Sequence, residues 1–544
     1  MIIRVILLQV YETDCFYVNQ TSCKSEISQY ADIRQIDTRE ILANRGSIYD
    51  RNGEILALSL PKKTLCINIK ELYQPYFNNK VNIEPLLKIT GISKKTFNKL
   101  LRKNKNKVEY YLKRKVSQED YVKIQELDIP HIYFIDEYDR IYLSGEYFSN
   151  VIGFTDIDDN GISGIELAKD NILRSKNGVK KVRKDNLGRS VEFLEVIKEA
   201  KSGEDIYLSL DKRIQYIGYS ILKNHVLKSR ADSASIVLIK SKTGEIISMI
   251  NYPSFDPDNR SEYKGERIKN KSASYLFEPG STIKPFIMYV GLESGSVQVD
   301  DEIDTSIGLK LSAEEKIIRD YKDLGTLSPS GVIEKSSNVG AAVIAKNNKK
   351  QDIYNTLNKL SFTDNLFIDI PDIQNGTIKD YNLWDEALHG TVGYGYGLST
   401  TLLHLANAYN IIANDGKRVQ LTYLKSSEDI EYESSLNTEK TIMIKKMLRD
   451  AVEKGTGSKA KIKNYSVAGK TGTVRIRVNG NYSSEHHNTL FVGMVPASNP
   501  QYVSAIIIRN PKNQPVSGGK NAAPIFSEFM SHSLNLLEVY PDVR

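Results

Sequence analysis

Along the amino-terminal part of the chain, apolar and polar residues alternate only in short runs. Residues 64–69 and 132–135 read as strands, set among basic helical patches and turns such as Asp159-Asn160-Gly161. Near 200–205 the polar text AKSGED marks a domain junction. It is followed by alternating Ile206, Leu208 and Leu210, then by a helical pattern through Ile214, Ile217, Ile221 and Leu222. Residues 235–240 and 245–250 form two β-rich runs joined through Lys242-Thr243-Gly244, which predicts a hairpin. Near the end, 489–495 and 502–508 are again β-branched, separated by a proline-bounded turn, and 524–537 reads as a closing helix. The second domain thus opens and closes with strands that can share one antiparallel sheet, with helices between. The fold class is α+β.

Composition adds little to that picture. With 544 residues, 40% hydrophobic and 26% charged, the chain has the make-up of a folded protein long enough for two or three domains. The formal charge of +7 is small for this length and does not suggest a nucleic-acid partner. Its excess is local: residues 94–115 hold ten Lys and Arg against the single acid Glu109. Phe97, Leu100, Leu101, Val108 and Leu112 interrupt those charges as a core stripe does, so the stretch reads as the solvated face of a helical hairpin.

Cys15, Cys23 and Cys66 are too few for a disulfide framework, and neither Cys/His ligand spacing nor an HExxH pair is present. The Asp156, Asp158, Asp159 and Asn160 cluster lacks the later Glu of a calcium loop and reads as a polar turn. Trp384 is expected to be a partly buried loop anchor. The run Ile2, Ile3, Val5, Ile6, Leu7, Leu8 and Val10, broken by Arg4, is shorter than a membrane-spanning helix needs.

A serine three residues before a lysine places both side chains on one helix face, so an unprotonated amine can take the hydroxyl proton as the oxygen attacks a carbonyl. The spacing recurs seven times here, so context must choose. Ser281 is preceded by Phe277-Glu278-Pro279-Gly280 and followed by Lys284-Pro285-Phe286-Ile287-Met288. A turn, a helix opened by Ser281 and an apolar continuation would bury Lys284, and burial lowers a lysine pKa. Lys335-Ser336-Ser337-Asn338 offers a second hydroxyl for proton relay and an amide for a substrate backbone. Gly469-Lys470-Thr471-Gly472-Thr473 offers a cation and hydroxyls for a carboxylate, with Gly472 allowing close backbone approach and the Thr473 amide joining that of Ser281 as an oxyanion hole. Ser175-Lys176-Asn177, Ser533-Leu534-Asn535 and Lys242-Thr243-Gly244 repeat single triplets. What distinguishes the first set is its order within one domain.

That order, SxxK then SxN then KTG, resembles the penicillin-binding proteins. With RGSIYDRNG at 45–53, similar to the RGxIxDRNG opening of a non-catalytic pedestal, the chain resembles class B penicillin-binding proteins from about 45 to 537. FEPGSTIKPF, KSSNVG, GYGYGLS and AGKTGT are most similar to the cell-division, FtsI-type branch. Leu143 stands where that family more often has proline. The elongation branch usually carries aspartate at the place of Asn338 and serine at that of Thr471.

The resemblance implies a pedestal over 43–200, a linker and entry helix over 201–232, and a transpeptidase domain over 233–537. Residues 1–42 would be the outer end of a membrane anchor and a juxtamembrane segment. It implies Ser281 as acylated nucleophile, Lys284 as its base, Ser336 as relay and Asn338 as substrate-orienting amide. Lys470, Thr471, Gly472 and Thr473 would receive the carboxylate end of a D-alanyl-D-alanine stem peptide. No metal or organic cofactor is required. β-Lactams are implied as inhibitors, and a SEDS-type lipid II polymerase and other division proteins as partners, with a periplasmic catalytic domain on an inner-membrane anchor. The readings set against this are an elongation-type transpeptidase and a catalytically silent β-lactam sensor or division scaffold.

Overall fold

The computed structural model describes residues 36–184, 190–310, 317–363, 366, 368–425 and 430–543. The apolar run near the start, Cys15, Cys23 and most of the expected anchor segment lie outside the described residues. Among those described, no helix is long and apolar enough to cross a membrane. The chain forms two compact units that interleave in sequence, one including 58–141 and 171–205, the other 48–57, 142–170 and 206–544.

In the first unit, the part of strand Ile55–Ile67 beyond residue 57 pairs antiparallel with Tyr110–Val116 over Lys63↔Val116 to Ile67↔Tyr110. Helices Ile69–Phe77, Glu84–Thr90 and Lys94–Lys103 bury Leu72, Leu86, Phe97 and Leu101 in one cluster. The basic stretch is therefore not a helical hairpin. Its first half is a helix capped by Ser93, whose hydroxyl accepts from the Thr96 amide at 3.2 Å, but its second half is a strand. Alternating Tyr110 and Leu112 suit a pleated surface, and Val108, expected in the core, is exposed. Strands Ile36–Ile41, Gly178–Lys184 and Ser190–Lys198 form a second antiparallel sheet.

The second unit is built on helices α1 (Lys212–Ser229), α2 (Lys284–Ser294), α3 (Asn338–Lys346), α4 (Leu402–Ala413) and α5 (Gly518–Leu536). Five of its strands are β1 (Ser233–Lys240), β2 (Ile246–Tyr252), β3 (Ala468–Val478), β4 (Asn481–Val495) and β5 (Tyr502–Arg509). They form one antiparallel sheet in the order β2-β1-β5-β4-β3, so β3 is an edge strand. The first and last strands in sequence share one sheet, with β5 paired to β1 over Tyr502↔Lys240 to Arg509↔Ser233.

Alternate residues Ile236, Leu238, Ile506 and Ile508 join Ile214, Leu222, Phe526 and Phe529 of α1 and α5 in one cluster. Successive strand side chains point to opposite faces, so Val237, Ile239, Ala505 and Ile507 face the other side, where α4 is buried along its whole length. Asp211 caps α1 through the Arg213 amide, and Asp50 of the RGSIYDRNG motif accepts from the Lys212 amide at 3.1 Å. The Lys242-Thr243-Gly244 triplet is the β1–β2 turn, with Gly244 at φ +69. Asp156 folds its cluster into a polar turn by accepting from the amides of Asp158 and Asn160. Trp384 is only 3% exposed, more deeply held than expected, and its indole N–H donates to Lys379 O.

Candidate active site

Gly280 adopts φ +54, a conformation that L side chains rarely take, and donates its N–H to Gly395 O at 3.1 Å. A Cβ there would sit 2.4 Å from Val474 Cγ2 on β3, so only glycine lets this turn lie against the edge strand. The turn continues as a 3₁₀ helix, Gly280–Ile283, fixed by Thr282 Oγ1 donating to Pro279 O and by the buried Tyr409 hydroxyl donating to Thr282 O. The α-helix begins only at Lys284, with Pro285 in its first turn where no N–H partner is missed. Ser281 thus stands on the 3₁₀ turn, half-buried, rather than opening the α-helix. Its hydroxyl makes no hydrogen bond to another described residue.

Lys284 is 1% exposed and points into the SxN segment. Its ammonium donates to Ser336 O at 2.6 Å and to Asn338 Oδ1 at 2.8 Å, with Ser336 Oγ at 3.4 Å. Lys470, fully buried on β3, donates to Ser336 Oγ at 2.8 Å. Two buried lysines from distant parts of the chain therefore converge on one hydroxyl. Ser336 reaches this point in the left-handed region, φ 61 and ψ 40, at the carboxyl end of helix Pro329–Lys335. For a non-glycine residue that conformation costs on the order of 1 kcal/mol.

Burial disfavours both ammonium charges. It is the first cause holding Lys284 well below the ordinary lysine range. Repulsion from Lys470 adds to it, while the Asp320 carboxylate pulls the other way. Burial brings Lys470 down to about 7. Burial thus shifts both amines towards their neutral forms, which favours proton transfer through Ser336.

The KTG strand is shaped for close approach. Gly472 pairs with Leu490, and a Cβ on it would stand 2.9 Å from Thr282 Cγ2 beside Ser281. Thr471 Oγ1 lies 2.9 Å from Thr456 Oγ1, and Thr473 Oγ1 accepts from the Gly518 amide at 3.0 Å. The repeats lie elsewhere: Ser533 of the second SxN triplet is inside α5, bonded to Phe529 O, and Ser261, which opens another Ser-x-x-Lys spacing with Lys264, is exposed and bonded to Asn259.

Residues 234–531 match the penicillin binding protein transpeptidase domain family, and 40–208 match the penicillin-binding protein dimerisation domain. The chain belongs to the penicillin-binding protein transpeptidase family. It is 32% identical to the Pseudomonas aeruginosa protein named probable peptidoglycan D,D-transpeptidase PbpC, over 99% of this chain and 93% of that protein. It is also 32% identical to peptidoglycan D,D-transpeptidase FtsI of Buchnera aphidicola subsp. Baizongia pistaciae, over 94% of this chain and 90% of that one. Among solved structures it resembles the apo TP domain of Burkholderia pseudomallei penicillin-binding protein 3, at 31% identity and a TM-score of 0.57. That likeness covers 62% of this chain and 98% of the other.

Two further acids brace this candidate site, neither of them assigned a role from the sequence. Asp320 accepts from Ser337 Oγ and from the Asn338 amide, both at 2.5 Å, and so anchors the SxN segment at the start of α3. Glu278 Oε1 accepts from the Gly397 amide at 3.0 Å and the Tyr482 hydroxyl at 2.9 Å, tying the turn before Ser281 to the GYGYG loop and the β3–β4 hairpin. Tyr394 and Tyr396 of that loop stack edge to face, and Tyr396 packs on Tyr482. Glu278 lies inside a quoted motif, so proximity to Ser281 was its only available signal. Asp320 had none.

Proposed function

We propose that this protein is a peptidoglycan D,D-transpeptidase of the cell-division type, acting through a serine acyl-enzyme. Ser281 Oγ attacks the carbonyl of the penultimate D-alanine while neutral Lys284 takes the hydroxyl proton. The backbone amides of Ser281 and Thr473 face the oxyanion that develops. The C–N bond to the terminal D-alanine then breaks, and Ser336, between the two lysines, passes a proton to the leaving amine. Asn338 orients the stem peptide, and Lys470, Thr471 and Thr473 receive its carboxylate along Gly472. A neighbouring stem's amine next attacks the ester, releasing Ser281 and forming the cross-link.

The observation that carries this reading is the convergence of Lys284 and Lys470 on the Ser336 hydroxyl, at the end of the strand that flanks Ser281. Asn338 and Thr471 favour the division type over the elongation type. We further propose an inner-membrane anchor that holds residues 233–537 in the periplasm, on a pedestal of 43–200, beside a SEDS-type lipid II polymerase and other division proteins.

Fluorescent penicillin followed by a denaturing gel tests the nucleophile: wild type labels and Ser281→Ala does not. Label persisting in the variant would assign another serine. Turnover of a depsipeptide substrate separates an enzyme from a silent sensor. Depletion in cells is expected to give filaments, and rounded cells would assign the elongation role instead.

A further inference from the structure

At the end of the sheet where β1 starts and β5 finishes, a cavity of about 340 Å³ is lined by Ser233, Lys271, Tyr275, Ile476, His486 and Arg509. Arg509 is the last residue of β5 and is only 5% exposed. Its guanidinium lies 3.7 Å from the centre of the Tyr275 ring, which covers one of its faces. One terminal nitrogen donates to Ser233 Oγ at 3.1 Å and the other to Lys271 O at 3.2 Å. Both acceptors are neutral, and a guanidinium carries more donors than they use. Its Nε is buried with no hydrogen-bond partner. Among the described residues Arg509 forms no ion pair. Burial lowers it only to about 10, so it stays charged at neutral pH.

A second cation faces the same space. Lys271 is half-buried, and burial followed by repulsion from Arg509 lowers its pKa. The two carboxylates on the rim are held by other cations: Glu266 pairs with Lys269 at 2.7 Å, and Asp232 pairs with Lys512 at 3.0 Å while accepting from Asn510 Nδ2. A buried charge with neutral partners and an unused donor is costly. An anion seated against Arg509 and Lys271 offsets that cost, and a planar guanidinium edge suits a carboxylate or phosphate oxygen pair.

We propose that this cavity binds a small anion bearing a carboxylate or phosphate group, at a site distinct from the Ser281 cleft. Arg509 supplies the directional contact and Lys271 the second charge. Tyr275 leads into the Ser281 turn and Ile476 follows Thr473 on β3, so the anion would touch both segments that flank the nucleophile.

Isothermal titration calorimetry of the described protein with inorganic phosphate and with glutarate tests the site, the two probes separating phosphate from carboxylate recognition. Saturable binding of at least one probe is expected, weakened about tenfold or more in Arg509→Gln and in Lys271→Met. Penicillin labelling of Ser281 should persist in both variants, which reports that they fold. Because Arg509 is buried, Lys271→Met carries the test alone if Arg509→Gln does not fold. Absence of binding by both probes, or binding unchanged in the folded variants, would overturn the proposal.

Discussion

The carboxylate of Asp320 holds the Ser337 hydroxyl at 2.5 Å, and its other oxygen accepts from the next amide, that of Asn338. Ser337 in turn caps α3 by accepting from the Gly340 amide at 2.9 Å. One acid therefore fixes the segment on which Ser336 and Asn338 stand, and its charge also favours protonated Lys284. Asp320→Asn keeps the shape but removes the charge. It is expected to slow acylation by roughly ten- to a hundredfold with the fold retained, because charge-assisted bonds to the loop become ordinary ones. Acylation kinetics with a chromogenic cephalosporin check this, and a rate within about twofold of wild type would remove Asp320 from the positioning role.

The proposed roles ask for opposite protonation states, with Lys284 neutral and Lys470 charged. Both are depressed by burial. Acylation should rise as Lys284 loses its proton and fall as Lys470 does, giving a bell-shaped kcat/KM profile whose limbs belong to the coupled pair. Stability follows a different sign. A folded-state value of about 7 against 10.5 means that the folded protein binds fewer protons than the unfolded chain between those values. Stability from this group therefore rises with pH across that window and is lowest below it. Lys470→Met removes the buried charge, so its Tm should exceed wild type in mild acid, the gain shrinking towards alkaline pH while activity is lost. Thermal unfolding across pH checks it, and a constant difference would show that the ammonium is not desolvated.

Each of SxxK, SxN and KTG is a short local pattern that can be picked out of the sequence, and the fold brings Lys284, Ser336, Asn338 and Lys470 together. The order of sheet-forming runs also anticipated that β1 and β5 would share a sheet. Local spacing failed where tertiary contacts decide. Ser281 and Lys284 at i and i+3 suggested one helix face with the amine on the hydroxyl. Instead Ser281 lies on a 3₁₀ turn that ends where the α-helix begins at Lys284, and the buried ammonium takes Ser336 O and Asn338 Oδ1 as acceptors. Asp320 was invisible because its partners lie beyond it in sequence and only the folded loop joins them. The residues around 110–116 misled for a simpler reason: in a run this short, mixing aromatic, basic and apolar residues, neither the helix nor the strand period is decisive.

Ser336 offers a way to separate backbone strain from chemistry. Its φ of 61 disfavours any side chain, whereas the hydroxyl meets both lysines. Ser336→Ala and Ser336→Gly both remove that hydroxyl and should lose activity alike. Only glycine relieves the left-handed conformation, so Ser336→Gly should be more stable than Ser336→Ala by about 1 kcal/mol. Denaturant unfolding of the two variants measures the difference. Equal stabilities would mean that the segment relaxes out of this conformation once the hydroxyl is gone.

Gly395 should matter to the site without touching substrate. It has φ +88, and a Cβ on it would fall 2.2 Å from Gly280 O and 2.5 Å from Gly280 Cα, backbone atoms of the Ser281 turn that cannot step aside. Gly395→Ala therefore combines left-handed strain with a backbone clash and is expected to cost about 3 kcal/mol or more, by displacing the turn. Penicillin labelling of Ser281 should fall steeply even where the protein remains folded. Gly480→Ala is the matched control: at φ +84 it bears similar strain, but a Cβ there meets nothing within 4 Å. It should lose about 1 kcal/mol and keep its labelling. If the two variants labelled equally well, the packing of the GYGYG loop on Gly280 would not be what holds Ser281 in place.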